Sequence, residues 1–132
     1  MLSRTRPGDA PMPPVFCAQN TGGIGASPEQ KEFLDLCGER RIAFVPFHSI
    51  AGTGRTAGAT TDDGVEVLAV ARAHGVGTAR IRLAWTLHQG PHVLTIPGTG
   101  DPGHLAQNVA AGPLRLSADG LTSLNSPRHA VV

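Results

Sequence analysis

Three short, mainly apolar runs occur along the chain, at residues 15–19, 42–47 and 93–96. They combine β-branched and aromatic residues and are bounded by proline, glycine or asparagine, a pattern typical of strands buried on both faces. Between them, apolar residues recur every three or four positions, which predicts helices. The order strand, helix, strand, two helices, strand and two helices predicts an α/β fold of parallel β/α units with right-handed crossovers.

The first predicted helix has the clearest start signal in the chain. Ser27 is placed as its N-cap, Pro28 as its first residue and Gln30 as the partner that completes a capping box, and the helix is predicted to end around residues 38–40. The other helices are predicted at residues 65–74, 78–88 and 104–111, with a last one that begins after Ser117 and includes Leu121 and Leu124.

Helical spacing also predicts which side chains of the first three helices are buried. Each member of a set lies three or four residues from another member, so the set shares one side of its helix. The predicted faces are Phe33, Leu34, Leu36 and Cys37 in the first helix, Val65, Leu68, Ala69 and Ala73 in the second, and Ile81, Ala84, Trp85 and His88 in the third.

Composition places these elements in one modest domain. The chain has 132 residues, of which the proline-rich residues 1–14 and the final residues 127–132 lack periodicity, so we expect a flexible lead-in, a domain at 15–126 and a tail. With a net charge of +1 and 16% charged residues, the chain has no basic stripe, which argues against nucleic acid as a partner.

The cysteines and the apolar runs indicate the cellular compartment of the protein. Cys17 and Cys37 do not form a CxxC pair, so we interpret them as thiols of the core in a reducing compartment. No apolar run approaches the ~18 residues of a membrane span, and no apolar signal core follows Arg4 and Arg6. These features predict a cytoplasmic protein that does not enter a membrane.

A glycine turn at residues 98–100 carries the strongest sign of a binding site. It follows the apolar run 93–96 directly, Asp101 is suited to cap the next helix, and Pro102 is suited to its first position. A strand, a glycine turn and a helix start together expose successive backbone N–H groups, which is a geometry that holds an anion, usually a phosphate.

Four other patterns favour ordinary structural interpretations. The GxGxxA match at residues 52–57 begins five residues after Phe47 rather than in a tight turn, so a loop remnant is favoured over a Rossmann site. His88 and His92 have helical spacing, but Gly90 and Pro91 interrupt it, which favours ordinary histidines over a metal site. The acidic residues Asp62, Asp63 and Glu66 precede or begin a helix and suit capping, and Ser49 lacks the GxSxG pattern of hydrolases.

Several segments in this order carry a resemblance to a known family. They are residues 15–20, 42–47, 82–85, 93–99, 104–108 and 114–117. Together they resemble the C-terminal part of the aldo-keto reductases, eight-stranded β/α barrels that reduce carbonyl compounds with NADPH. The resemblance covers about residues 15–125 and implies that the three apolar runs are the sixth, seventh and eighth barrel strands. The fold class implied is a partial (β/α)8 TIM barrel of about three β/α units.

The resemblance also implies a site for NADP(H). Gln19 would hydrogen-bond the nicotinamide carboxamide, Phe47 would stack on the nicotinamide ring, and Ile50 and Gly52 would lie beside the pyrophosphate. The residues implied for the adenosine half and its 2′-phosphate are Gly98, Thr99, Gly100, His104, Gln107 and Asn108. Two of them differ from the family pattern: Gly98 stands where some members have lysine, and His104 stands where arginine is frequent.

The catalytic set of the family is the part that the resemblance does not supply. Aldo-keto reductases use an Asp, Tyr, Lys and His set from earlier strands, with tyrosine as the proton donor. This chain contains no tyrosine, and its single lysine, Lys31, lies in the first predicted helix, where the family's lysine does not belong. We therefore expect a truncated oxidoreductase without catalytic residues or a metal, weakly active or inactive alone. The alternative is a structural or interaction fragment whose exposed strand edges pair with itself or a fuller barrel.

Overall fold

The computed structural model describes residues 13–47, 49–50 and 64–126 of the chain. Within these residues the protein has two strands and five helices. In chain order they are β1 (Cys17–Thr21), α1 (Pro28–Glu39), β2 (Ala43–Phe47), α2 (Val65–His74), α3 (Thr78–Leu87), α4 (Pro102–Val109) and α5 (Ala118–Asn125).

The two strands pair in parallel, as the order of elements predicted. Cys17 lies opposite Ala43 and Thr21 lies opposite Phe47, so the pairing extends over the whole length of both strands. Between them in sequence lies α1, which packs against both strands and completes one β/α unit. The observed β1 lies two residues later than the predicted run 15–19, because Val15 and Phe16 precede the pairing.

The third predicted strand is wrong in extent. Residues 93–96 form a single parallel bridge, in which the Phe44 N–H donates to the His92 carbonyl at 2.8 Å and the Leu94 N–H donates to the Phe44 carbonyl at 2.9 Å. The next residue of β2 that faces this segment is Pro46, which has no N–H to donate. The ladder therefore stops after one bridge, although the segment keeps the predicted place and direction beside β2.

The first core cluster joins the helices of the C-terminal half. Ile81, Ala84 and Trp85 of α3 are buried in it, as predicted, while His88 is half-buried at the end of that helix. The predicted buried face of α2 is wrong. Val65 is 79% exposed and Leu68 is 39% exposed, whereas the buried residues are Val67, Val70 and Ala71. Helix α2 has two apolar stripes of similar spacing, and its packing against α3 and α5 decides which one is buried.

The second core cluster lies between α1 and the strands, where Cys37, Phe44 and Val93 are buried. The predicted face of α1 is only partly correct, because Phe33 is 36% exposed and Leu36 is 43% exposed. Phe33 still contacts the sheet edge-on, with its ring centroid 6.0 Å from that of Phe44. Among the described residues, none covers the outer side of α1 well enough to bury both side chains.

The cysteines and helix ends agree with the sequence-based expectations in part. Both thiols are free, and Cys37 is buried as predicted, but Cys17 is exposed because it lies on the strand face that α1 does not cover. Burial raises the pKa of the Cys37 thiol.

The capping box at Ser27 and Gln30 is present, and the fourth helix begins at Pro102 rather than at residue 104 because Asp101 caps it.

Candidate functional site

The predicted cofactor residues lie in or after the parallel strands. Gln19 is the middle residue of β1, Phe47 ends β2, and the 98–100 turn follows the bridge at Val93. The carboxyl ends of parallel strands meet at one edge of a sheet, which is where ligands bind in α/β proteins. Phe47 and the segment that leads to the 98–100 turn therefore run toward this edge, and Gln19 lies within the strand beside them.

Strand alternation places Gln19 and Phe47 on one face of the sheet. Gln19 lies opposite Val45, and Phe47 is two residues further along β2, so both point away from the face on which Phe44 contacts α1. Gln19 is exposed and Phe47 is 37% exposed. An amide and an aromatic ring are thus both accessible on the face that α1 leaves open.

The glycine turn is open to solvent. Gly98, Thr99 and Gly100 are exposed, and a Cβ atom added at either glycine would meet no atom within 4 Å. The turn therefore has free space in front of its backbone. The hydroxyl oxygen of Thr99 accepts the Asp101 N–H at 3.1 Å, which leaves the hydroxyl hydrogen free to be donated elsewhere.

Asp101 caps α4 from within the chain. Its Oδ1 atom accepts the backbone N–H of His104 at 3.0 Å. Hydrogen bonds from the His104 and Gly103 backbones, and then the positive charge of His104, hold the pKa of the Asp101 carboxyl below its usual range. The carboxylate therefore occupies donors of the first turn that an anion would otherwise use.

The adenosine-side residues lie along α4. His104 and Gln107 are exposed and Asn108 is half-buried. His104 and Gln107 are three residues apart and share one helix face. Gln107 has a partner that the sequence did not indicate, because its Oε1 atom accepts a hydrogen bond from Nη2 of Arg80 in α3. No local signal predicts this contact, since the two residues are 27 positions apart.

Two pyrophosphate positions complete the predicted set. Ile50 is half-buried just beyond β2, while Gly52 lies outside the described residues. Next to Ile50, the buried Ser49 hydroxyl donates to the Pro46 carbonyl at 3.2 Å. Ser49 thus serves the turn after β2, in keeping with the absence of a hydrolase motif around it.

The residues that could form a metal, acid–base or Rossmann site either have structural partners or lie outside the described residues. Nδ1 of His88 is 2.7 Å from the Ala84 carbonyl, and Nε2 of His92 is 2.9 Å from the Leu34 carbonyl. Within the described ranges, no three His, Cys, Asp or Glu side chains are placed to hold a metal ion. Asp62, Asp63 and the 52–57 pattern lie outside those ranges, and α2 has Gly64 as an N-cap without a side-chain bond.

A cavity of about 520 Å³ lies elsewhere, between the loop after β1 and the helices α1, α3 and α5. None of the predicted cofactor residues lines it. Two hydrogen bonds lie in its lining: the Trp85 indole N–H donates to Asn125 Oδ1 at 2.9 Å, and the Gln89 amide donates to the Trp85 carbonyl at 3.0 Å. The cavity therefore reaches the end of β1 at Thr21 but does not include the residues predicted to bind the cofactor.

Comparison with known proteins assigns the chain to a family. The model of the aldo/keto reductase family matches residues 10–127. Pyridoxine 4-dehydrogenase of Escherichia coli is 33% identical over 111 residues, which are 84% of this chain and 36% of that protein. An uncharacterized oxidoreductase of Schizosaccharomyces pombe is 31% identical over 112 residues, or 85% of this chain and 35% of that protein. The chain belongs to the aldo/keto reductase family.

Solved structures agree on the fold. A thermostable aldo-keto reductase bound to the inhibitor epalrestat superposes with a TM-score of 0.72 at 26% identity, over 86% of this chain and 40% of that one. A Klebsiella pneumoniae aldo/keto reductase in complex with NADP and acetate gives a TM-score of 0.70 at 24% identity, over 86% of this chain and 41% of that one. The fold is thus an α/β fold similar to the aldo-keto reductase barrel, and the chain spans 35–41% of the length of these four relatives.

A helix that crosses a bilayer must be both long and apolar. None of the helices in the described part of the chain meets both conditions.

Proposed function

We propose that this chain is the C-terminal, cofactor-binding part of an aldo-keto reductase barrel and that it binds NADP(H). The observations that carry the proposal are that Gln19 and Phe47 share the sheet face that α1 leaves open, and that the open 98–100 turn follows the segment bridged to β2. In this proposal the domain extends over residues 15–126 and corresponds to the last three β/α units of the barrel. Structural relatives in complex with NADP or NADPH support the choice of cofactor.

The proposed nicotinamide end is formed by Gln19 and Phe47 on the sheet face that α1 leaves open. Gln19 offers an amide that can donate to and accept from a carboxamide, and Phe47 offers a ring face of the size of a pyridine ring. Ile50 and Gly52 would lie beside the pyrophosphate. Bound nicotinamide supplies the hydride, and the role of these side chains is to hold and orient the ring that carries it.

The proposed adenosine end is formed by the glycine turn and α4. The backbone of Gly98 and Gly100 and the Thr99 hydroxyl suit a phosphate, and the amides of Gln107 and Asn108 suit the edge of a purine. His104 lacks the two parallel donors of a guanidinium, so it is a weaker phosphate ligand than an arginine.

We further propose that this chain does not catalyse efficient carbonyl reduction alone. It has no tyrosine to donate a proton, and Lys31 lies on the exposed side of α1, with its Nζ 3.8 Å from Asp35. General acid catalysis is typically worth about 10²- to 10⁴-fold in rate. The proton donor and the remaining barrel units would then come from another polypeptide segment, in a cytoplasmic setting that keeps both free cysteines reduced.

A fluorescence titration tests the binding proposal. We expect saturable NADPH binding to the purified chain, weakened about tenfold or more when Gln19→Ala and Asn108→Ala are combined, because each removes hydrogen bonds to the cofactor. Thr122→Ala is a matched control, since its exposed hydroxyl donates to the Ala118 carbonyl on α5. No saturation up to about 1 mM cofactor would contradict the proposal.

A second candidate function is favoured by the edges of the sheet. In the described part of the chain β1 pairs on one side only, and Val15 and Phe16 beside it are 54% and 76% exposed. We propose that this edge pairs with a second copy or with a fuller barrel, as exposed strand edges do. Sedimentation velocity tests it: we expect association that Phe16→Lys weakens and that Val109→Lys, at an exposed α4 position, leaves unchanged. A well-folded monomer at every concentration would contradict it.

A further inference from the structure

Arg80 places a positive charge beside the proposed adenosine end of the site. It lies in the first turn of α3, and its Nη2 atom donates a hydrogen bond to Oε1 of Gln107 on α4. Side chains of a helix lean toward its N-terminus, so the amide of Gln107 lies toward His104, one turn earlier. The guanidinium of Arg80 is therefore held within about one helical turn of the face assigned to the adenosine half.

No carboxylate in the described part of the chain neutralises this charge. The ion pair that the structure shows within residues 13–47, 49–50 and 64–126 joins Lys31 to Asp35. The nearest acidic residue in the sequence of α4, Asp101, accepts the backbone N–H of His104 instead. The Nε atom of Arg80 is buried and has no hydrogen-bond partner. Leaving a buried donor unpaired costs free energy.

The glycine turn and α4 contain no lysine or arginine. They therefore offer a phosphate no permanently charged side chain of their own. Arginine is always protonated and matches the geometry of a phosphate with two parallel donors. Arg80 on the neighbouring helix supplies the charge that the turn and α4 lack.

We propose that Arg80 supplies the fixed positive charge for a phosphate on the adenosine ribose, and so selects NADP(H) over NAD(H). This inference rests on the proposed cofactor binding and assigns its specificity to a residue outside the turn and α4. Gln107 then has two roles. Its oxygen holds the guanidinium of Arg80, and its NH₂ group is the part that faces a purine nitrogen.

Calorimetric titration of the full chain with NADP⁺ and with NAD⁺ tests the assignment. For Arg80→Gln we expect NADP⁺ binding to weaken about tenfold, the size of one charge-assisted hydrogen bond, and NAD⁺ binding to change by less than about twofold. Arg80→Lys keeps the charge and is expected to keep most of the preference. In the wild type, the preference is expected to shrink as ionic strength rises, because salt screens the exposed phosphate.

Arg40→Gln is the matched control. Arg40 follows α1 and is exposed just before β2 begins, at the opposite edge of the sheet from the strand ends. Removing its charge changes the net charge by the same amount, so both dinucleotides are expected to bind as they do to the wild type. Far-UV circular dichroism of each variant verifies that it is folded.

A second measurement, by NMR, uses the wild-type chain and does not require a variant that lacks the charge of Arg80. The Nε–Hε resonance of Arg80, assigned by its absence in Arg80→Lys, is expected to shift in the wild-type chain on saturation with NADP⁺ and not with NAD⁺. An unmoved resonance, an unchanged preference in Arg80→Gln, or an equal loss for both dinucleotides would overturn the assignment of Arg80 while leaving cofactor binding intact. A wild-type chain that binds neither dinucleotide would instead overturn the proposed function and this inference with it.

Discussion

The imidazole of His92 is hydrogen-bonded through Nε2 to the backbone carbonyl of Leu34, 2.9 Å away, and so ties the third parallel segment to α1. The same ring fills the space beside two glycines. A Cβ atom at Gly38 would lie 2.8 Å from the ring, and one at Gly90 would lie 2.6 Å from it. Because the His92 carbonyl also accepts the Phe44 N–H, this residue connects a helix, a strand and the bridge.

The first prediction concerns the stability that His92 provides. His92→Ala removes both the hydrogen bond and the ring that fills the gap between α1 and the bridge. We expect the free energy of unfolding to fall by about 1–3 kcal/mol, measured by urea denaturation. His74→Ala, in the last turn of α2, is the control and should cost less than about 1 kcal/mol. Equal costs for the two variants would contradict the role of His92.

The second prediction uses the contact between His92 and Gly38. In the wild-type background Gly38→Ala is expected to destabilise the chain, because its Cβ would press on the ring. In the His92→Ala background the same change should stabilise it by about 0.5–1 kcal/mol, since alanine is the better helix former. A double-mutant cycle by urea denaturation measures the coupling. Additive effects would show that the two residues do not interact.

The third prediction is a pH dependence at the start of α4. The pKa of Asp101 is lowered in the folded chain from its ordinary value of 3.8, chiefly by the backbone N–H of His104. Its contribution to stability is therefore fully present above that ordinary value and is lost as the pH falls through the lower folded-state pKa. Asp101→Asn keeps a capping side chain without the charge, so thermal melts from about pH 2 to pH 7 should converge for the two proteins at the acid end. Parallel curves throughout would contradict the assignment.

The fourth prediction concerns the cavity and the single tryptophan. The Trp85 indole donates to Asn125 and joins α3 to α5. Asn125→Ala should cost about 1 kcal/mol and shift the tryptophan emission, because the buried N–H loses its acceptor. Thr122→Ala, one turn earlier on α5, should leave the emission unchanged. Identical spectra for Asn125→Ala and the wild type would show that the hydrogen bond is not formed in solution.

Local signals explain what the sequence predicted well. The N-caps at Ser27 and Ser117, and the bounds of α2 set by Gly64 and Gly75, depend on residues within a few positions of each helix end. The strand, glycine turn and helix around residues 98–100 also form one local pattern. The order of the helices and of the first two strands could therefore be predicted from the amino-acid sequence alone, while the cofactor site stays a prediction.

Contacts between distant segments explain the rest. The buried stripe of α2 is chosen by its neighbours, and the bridge at Val93 stops because Pro46 lies opposite in another strand. The same applies to Arg80, which meets Gln107 only because α3 and α4 pack together. Periodicity describes one element at a time and carries no information about which partner that element meets.

The most direct test of the account is a map of NADP⁺ binding on the isotope-labelled 13.6 kDa chain by backbone amide NMR. If the chain is the cofactor-binding part of a reductase barrel, saturating NADP⁺ should shift the amides of Gln19, Phe47, Gly98 to Gly100 and the exposed face of α4. Amides around the separate cavity, such as those of Ile24 and Trp85, should stay in place. Shifts confined to the cavity, or no shifts at all, would contradict the central claim.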